Sequence, residues 1–123
     1  MGQVVLVTGV SRYLGGRMAR LLTEDPSIDR VIGVDVIPPR ADIGRAEFVR
    51  ADIRNPIIAK VINAASVDTV VHMGVIATPV QAGGRMSMKE INVIGTMQLL
   101  AACQKSPSVR RLVVKSTTSV YGA

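Results

Sequence analysis

Tryptophan is absent and the aromatic residues amount to 2%, so the interior has to be assembled from Val, Ile, Leu, Met and Ala. Cysteine is nearly absent as well. Cys103 stands alone and cannot form an internal disulfide, in agreement with a reducing cytoplasm. No run of 18 apolar residues occurs, which excludes a transmembrane helix. A basic-then-apolar leader ending in a small-residue cleavage site is also missing, so no secretory signal is expected. Repeats, low-complexity tracts and linkers are lacking, and 123 residues suffice for one domain with a single core. What the chain has in excess is basic charge, net +6. Such a balance attracts the phosphates of a cofactor or of nucleic acid, or simply solvates a surface. The basic residues are scattered, with Arg110-Arg111 the sole adjacent pair and no aromatic interleaving, which disfavours nucleic acid.

The informative stretch is Val4–Leu22. Val4-Val5-Leu6-Val7 is a short, β-branched apolar run, as in a strand buried on both faces. It breaks at Thr8-Gly9 and resumes with helical spacing through Leu14, Met18, Leu21 and Leu22. A strand, a glycine turn and a helix in succession aim the helix N-terminus, with its unpaired N–H groups and positive dipole end, at an anion. The next strand, Arg30–Asp35, ends in a carboxylate 20 residues beyond Gly15. That is the spacing of an acid that binds an adenosine ribose hydroxyl, and the combination predicts a dinucleotide site.

Further along, Pro38-Pro39 stops the second strand, and residues 40–45 are polar or small. Ala46–Ala51 reads as a third strand, and Pro56 opens a helix running to about Ala65. Val67–Met73 reads as a fourth strand, followed by a loop with Pro79, Gly83 and Gly84. Ser87–Gln104 reads as the longest helix, with Ser87 and Glu90 spaced as a capping box. Its expected apolar side is Ile91, Ile94, Met97, Leu99-Leu100 and Cys103, and Arg111–Lys115 is the fifth strand. Alternating strands and helices predict an α/β fold, a Rossmann-like doubly wound parallel sheet of five strands in the order 3-2-1-4-5.

Thr8-Gly9 with Gly15, Asp35, Asp52-Ile53-Arg54, Val70-Val71-His72, Asn92-Val93-Ile94-Gly95-Thr96 and Ser116–Gly122 fall in one order along the chain. Together they resemble the extended short-chain dehydrogenase/reductases, specifically the NAD-dependent sugar-nucleotide epimerase/dehydratase (UDP-glucose 4-epimerase-like) group. The resemblance runs from Val4 to Gly122. It implies NAD as cofactor, with Gly9, Arg12, Tyr13, Leu14, Gly15, Asp35, Asp52, Ile53, Met73, Gly74, Val75, Asn92 and Ser116 as its binding residues, and no metal.

Several positions carry more than one meaning. The group usually reads T-G-x-x-G-x-x-G at the turn, whereas Arg12 replaces the middle glycine here. Arg12 either clamps a phosphate, narrows the pocket or is exposed without a role. By resemblance Asp35 binds the adenosine ribose, and its charge disfavours a 2′-phosphate. Asp52 and Ile53 match the pair bordering the adenine, although Asp52 is equally placed to cap the helix after it. Met73 and Val75 depart from the small residues usual there. Asn92 matches a buried anchor of the site, or is a polar residue on a helix face. His72 ends the fourth strand and reads as a packed or hydrogen-bonded structural histidine.

Thr117 matches the group's catalytic Ser/Thr, with Thr118 and Ser119 one or two residues away. Its hydroxyl would bond the reacting sugar oxygen. The group's catalytic Tyr-x-x-x-Lys is not found in the 123 residues, since the lysine matching Tyr121 would fall at position 125. The expectation is therefore a domain spanning 1–123, the NAD-binding portion of an epimerase/dehydratase cut before that motif and the substrate-binding part, and inactive by itself. The alternative is a non-catalytic NAD-binding or regulatory module. A nucleotide-sugar ligand in the parent protein and self-association through the exposed edge and the Ser87–Gln104 helix complete the expectations.

Overall fold

The computed structural model describes residues 2–73 and 85–114, with the backbone alone for 85–92. The elements are β1 (Gln3–Thr8), α1 (Tyr13–Thr23), β2 (Ile28–Asp35), β3 (Glu47–Arg50), α2 (Ile57–Ala65), β4 (Thr69–His72), α3 (Arg85–Lys105) and β5 (Arg111–Val114). The five strands form one parallel sheet in the order β3-β2-β1-β4-β5, the expected doubly wound Rossmann-like arrangement.

The central strand explains the two-sided core. Val5 and Val7 point to one face of the sheet and Leu6 to the other, because side chains alternate along a strand. On the first face they meet Val10, Ala19, Val31 and Val71, beneath α1. On the second, Leu6 joins Ile32, Val70, Ile58 and Ile62 of α2, and Leu99 of α3. Each aliphatic side chain fully buried in this way contributes about 1.5–3 kcal/mol relative to exposure. With few rings available, branched aliphatics carry the interior.

Both major helices are rolled relative to the sequence expectation. In α1 the buried residues are Gly15, Gly16, Ala19 and Thr23, with Met18 and Leu22 partly covered, while Leu14 and Leu21 are half exposed. Small side chains let the helix lie close to the sheet, and that close approach outweighs the larger leucines. In α3 Leu99 and Cys103 face inward as expected, joined by Gly95 and Ala102, whereas Ile94, Met97 and Leu100 of the expected apolar side face outward. A Cβ on Gly95 would lie 2.5 Å from Ile53 Cδ1, so the glycine receives the isoleucine and sets the roll of the helix.

Element ends differ in a few places. α3 starts at Arg85, which puts Ser87 inside the helix rather than at its cap. β4 starts at Thr69, because the Val67 side chain is fully buried ahead of the strand and Asp68 Oδ2 accepts the Val4 N–H at 2.7 Å. The connection 40–45 contains an anchor that its polar composition conceals, for Ile43 is buried in the α1-side core. Lys115 lies outside the described residues.

Candidate functional site

The site is assembled at the carboxyl ends of the strands, where the chain leaves β1 for β2 on one side and returns to β4 on the other. Gly9 turns the chain there with φ +75°, a left-handed conformation that favours glycine. Its N–H continues the β1–β2 ladder to Val34 O at 2.9 Å, and its carbonyl accepts the Arg12 N–H at 3.2 Å. Gly15 then comes so close that a Cβ there would stand 2.0 Å from Gly9 O. A Cβ on Gly16, a position the sequence reading passed over, would stand 3.0 Å from Val10 O. These two residues let the first turn of α1 sit directly on the glycine turn. Arg12 is the residue before that helix, in extended conformation and with no side-chain cap bond. The N–H groups of Tyr13, Leu14 and Gly15 have no earlier carbonyl within the helix and face its N-terminal end.

Tyr13 and Leu14 lie on the outer face. Tyr13 is 73% exposed, with the Arg17 guanidinium 5.6 Å from its ring centroid and donating to its hydroxyl at 3.2 Å. Beside them opens a cleft of about 930 Å³ between α1 and the β2–β3 connection, lined by Ser11, Arg12, Tyr13, Asp35, Val36 and Arg40 among others.

Asp35 ends β2 directly below the turn. Its Oδ2 accepts the Ser11 N–H at 3.0 Å and the Ser11 hydroxyl at 2.5 Å, and its Oδ1 accepts the Val36 N–H at 2.7 Å. Ser11 escaped the sequence reading. The available signal was a hydroxyl two residues past Gly9, in a turn followed by an acid at the end of the next strand.

Asp52 follows β3, the neighbour of β2, so the two carboxylates stand at adjacent strand ends. The Asp52 carboxylate does not cap α2. It accepts the Arg54 backbone N–H at 2.9 Å and pairs with the Arg54 guanidinium at 2.6 Å, which holds its carboxyl below the usual aspartate range. The Ile57 N–H at the start of α2 is bonded instead by Asn55 Oδ1 at 2.9 Å. Ile53 is half-buried against Gly95 of α3, and Met73 is half-buried on the α1-side core.

His72 is buried beneath the switch point. Its Nδ1 is 2.7 Å from Thr8 Oγ1 and its Nε2 is 3.2 Å from Thr96 Oγ1, so the ring ties β1, β4 and α3 together. Burial pushes its pKa below the ordinary histidine value. The structure thus gives it the packed, hydrogen-bonded role. Asn92 lies in α3, where the backbone alone is described, and Gly74, Val75, Ser116 and Thr117 lie outside the described residues. The structure therefore brings together Gly9, Arg12, Tyr13, Leu14, Gly15 and Asp35, with Asp52 and Ile53 at the adjoining strand end. No helix among the described residues is long and apolar enough to cross a membrane.

A glycine turn feeding a helix N-terminus, with a carboxylate at the end of the second strand, defines a dinucleotide-binding α/β protein. The model of the NAD dependent epimerase/dehydratase family matches residues 5–123, and the chain belongs to that family. It is 58% identical over 125 aligned positions to an uncharacterised protein of Mycobacterium tuberculosis, covering 98% of this chain and 33% of that one. It is 29% identical to CDP-paratose 2-epimerase of Salmonella typhi, covering 96% of this chain and 38% of that protein. Among solved structures, UDP-glucose 4-epimerase from Stenotrophomonas maltophila with bound NAD and formylated UDP-arabinopyranose superposes with a TM-score of 0.81. The identity is 25%, and 98% of this chain and 38% of that one are covered. UDP-glucose 4-epimerase from Brucella ovis in complex with NAD gives a TM-score of 0.85 at 21% identity, covering 99% and 38%. The chain thus spans about a third of the length of the first of these curated relatives.

Proposed function

We propose that this chain is the NAD-binding portion of a nucleotide-sugar epimerase/dehydratase. The observation that carries the reading is the junction of the glycine turn, the α1 N-terminus and Asp35. In this reading the pyrophosphate lies against the N–H groups of Tyr13, Leu14 and Gly15, and Asp35 accepts from the adenosine ribose. Asp52 and Ile53 border the adenine. Gly9 and Gly15 fit a dinucleotide, since neither places a Cβ between the turn and the helix end. Arg12, in the place of the usual middle glycine, supplies a guanidinium to the phosphates.

Bound NAD would supply reversible hydride exchange with a sugar carbon. This chain's residues would bind and orient it: by resemblance Met73, Gly74 and Val75 pass beneath the pyrophosphate and nicotinamide ribose, Asn92 anchors the site, and Ser116 is a further cofactor-binding residue. Thr117 is the residue proposed to hydrogen-bond the reacting sugar oxygen. The 123 residues alone contain no Tyr-x-x-x-Lys pair to hold the proton, so as a separate polypeptide they are expected to bind NAD without turning over a sugar nucleotide. The lone, buried Cys103 and the dependence on NAD favour the cytoplasm.

Calorimetric titration with NAD and NADP tests the reading. Saturable binding of NAD, weakened by Asp35→Ala, is expected. No binding, or binding indifferent to Asp35, would refute it.

A further inference from the structure

Asp35 holds three hydrogen bonds from its own chain. Two of them come from Ser11, 24 residues earlier, and the third from the adjacent Val36 N–H. The Val36 bond turns with the strand end and says nothing about the turn. The Ser11 bonds do link the two, and both fall on the same oxygen, Oδ2. A hydroxyl 2.5 Å from a carboxylate oxygen belongs to the short, charge-assisted class. A carboxylate offers about four acceptor positions, so three are filled here and one, on Oδ1, stays open on a residue that lines the cleft.

We propose that Ser11 is a positioning residue for cofactor binding. Its hydroxyl pins Asp35 Oδ2 against the glycine turn, so that the open acceptor position keeps a fixed direction toward an adenosine-ribose hydroxyl. This rests on the assignment of Asp35 to the ribose. The backbone bond from Ser11 survives replacement of the side chain, so Ser11→Ala removes the hydroxyl bond and leaves the turn its main-chain support. Asp35 then keeps a single bond to the turn and swings about its side-chain torsions. A competing role, in which the Ser11 hydroxyl only occupies a position that a second ribose hydroxyl would take, has the opposite sign and predicts tighter binding by Ser11→Ala.

The test is calorimetry on the full-length protein with NAD and with an NAD analogue lacking both hydroxyls of the adenosine ribose. Wild-type protein, Ser11→Ala, Ser11→Thr and Asp35→Ala are compared. Wild type is expected to prefer NAD by about tenfold, the size of one hydrogen bond to a charged group. Ser11→Ala should weaken NAD by about tenfold and the analogue hardly at all, so that the preference collapses, and Ser11→Thr should restore it. Equal weakening of both ligands would mean a merely structural role and overturn the proposal, as would tighter or unchanged NAD binding by Ser11→Ala. If Asp35→Ala binds NAD as wild type does, the ribose assignment itself falls. If Asp35→Ala weakens NAD while Ser11→Ala does not, the role of Ser11 alone is refuted.

Discussion

Gly15→Ala is the substitution whose outcome the geometry defines most sharply. In the interior of a helix alanine is ordinarily better than glycine by about 1 kcal/mol, so local propensity predicts stabilisation. Against this, the new methyl carbon would stand 2.0 Å from Gly9 O and 2.7 Å from Gly9 C. Both are backbone atoms, and the turn carrying them is tied to β2 through the Gly9 N–H and Val34 O. No side chain can rotate out of the way, so α1 or the turn must shift by about an ångström. Overpacking of a well-packed site costs typically about 1–3 kcal/mol, and here the upper end applies. The clash outweighs propensity, leaving a net loss of about 2 kcal/mol, a large share of the 5–15 kcal/mol typical of a domain. Gly16→Ala is the internal control. Its Cβ would lie 3.0 Å from Val10 O, where a few tenths of an ångström suffice, so a change within about 1 kcal/mol is expected. Denaturant unfolding of both variants, followed by circular dichroism, measures the difference. Gly15→Ala unfolding at the wild-type midpoint or above would refute the reasoning.

Burial lowers the pKa of His72, so the unfolded chain binds a proton that the folded chain resists. Stability should be fully present above the ordinary histidine pKa of about 6.5 and fall as the pH drops below it, by at most about 1.4 kcal/mol per pH unit; a urea-midpoint series from pH 8 to 5 checks this, and no decline would contradict it. Glu47→Gln breaks the ion pair with Arg30, whose two side chains are 46% and 48% exposed, and should cost less than about 1 kcal/mol in the same assay. NAD should bind more tightly than NADP, and Asp35→Ala should narrow the gap; isothermal titration with both nucleotides decides. The 123-residue polypeptide should self-associate at micromolar concentration through the exposed Ile94, Met97 and Leu100 of α3 and the Val113 and Val114 pair on the edge strand β5. Sedimentation velocity would reveal it, with Met97→Glu shifting the distribution toward monomer.

How much was legible without a structure follows from the range of each interaction. Val4–Val7, the break at Gly9 and the acid at the end of the second strand are local features. Their periodicity and spacing in the chain determine a strand, a turn and a helix, and hence the parallel order with its switch point beside β1. The tertiary structure decided what depends on distant partners. Gly95 is a helix residue whose meaning appears only when Ile53 enters the space its missing Cβ leaves. Leu99 stays inward, as the apolar pattern of the helix predicts, but Met97 of that same pattern is left outside. Likewise Asp52 is suited by position to cap α2, and only the packed chain shows its carboxylate turned to Arg54 instead. Ser11 had no visible task until β2 carried Asp35 beneath the turn, because a hydrogen bond across 24 residues leaves no periodic trace in the chain.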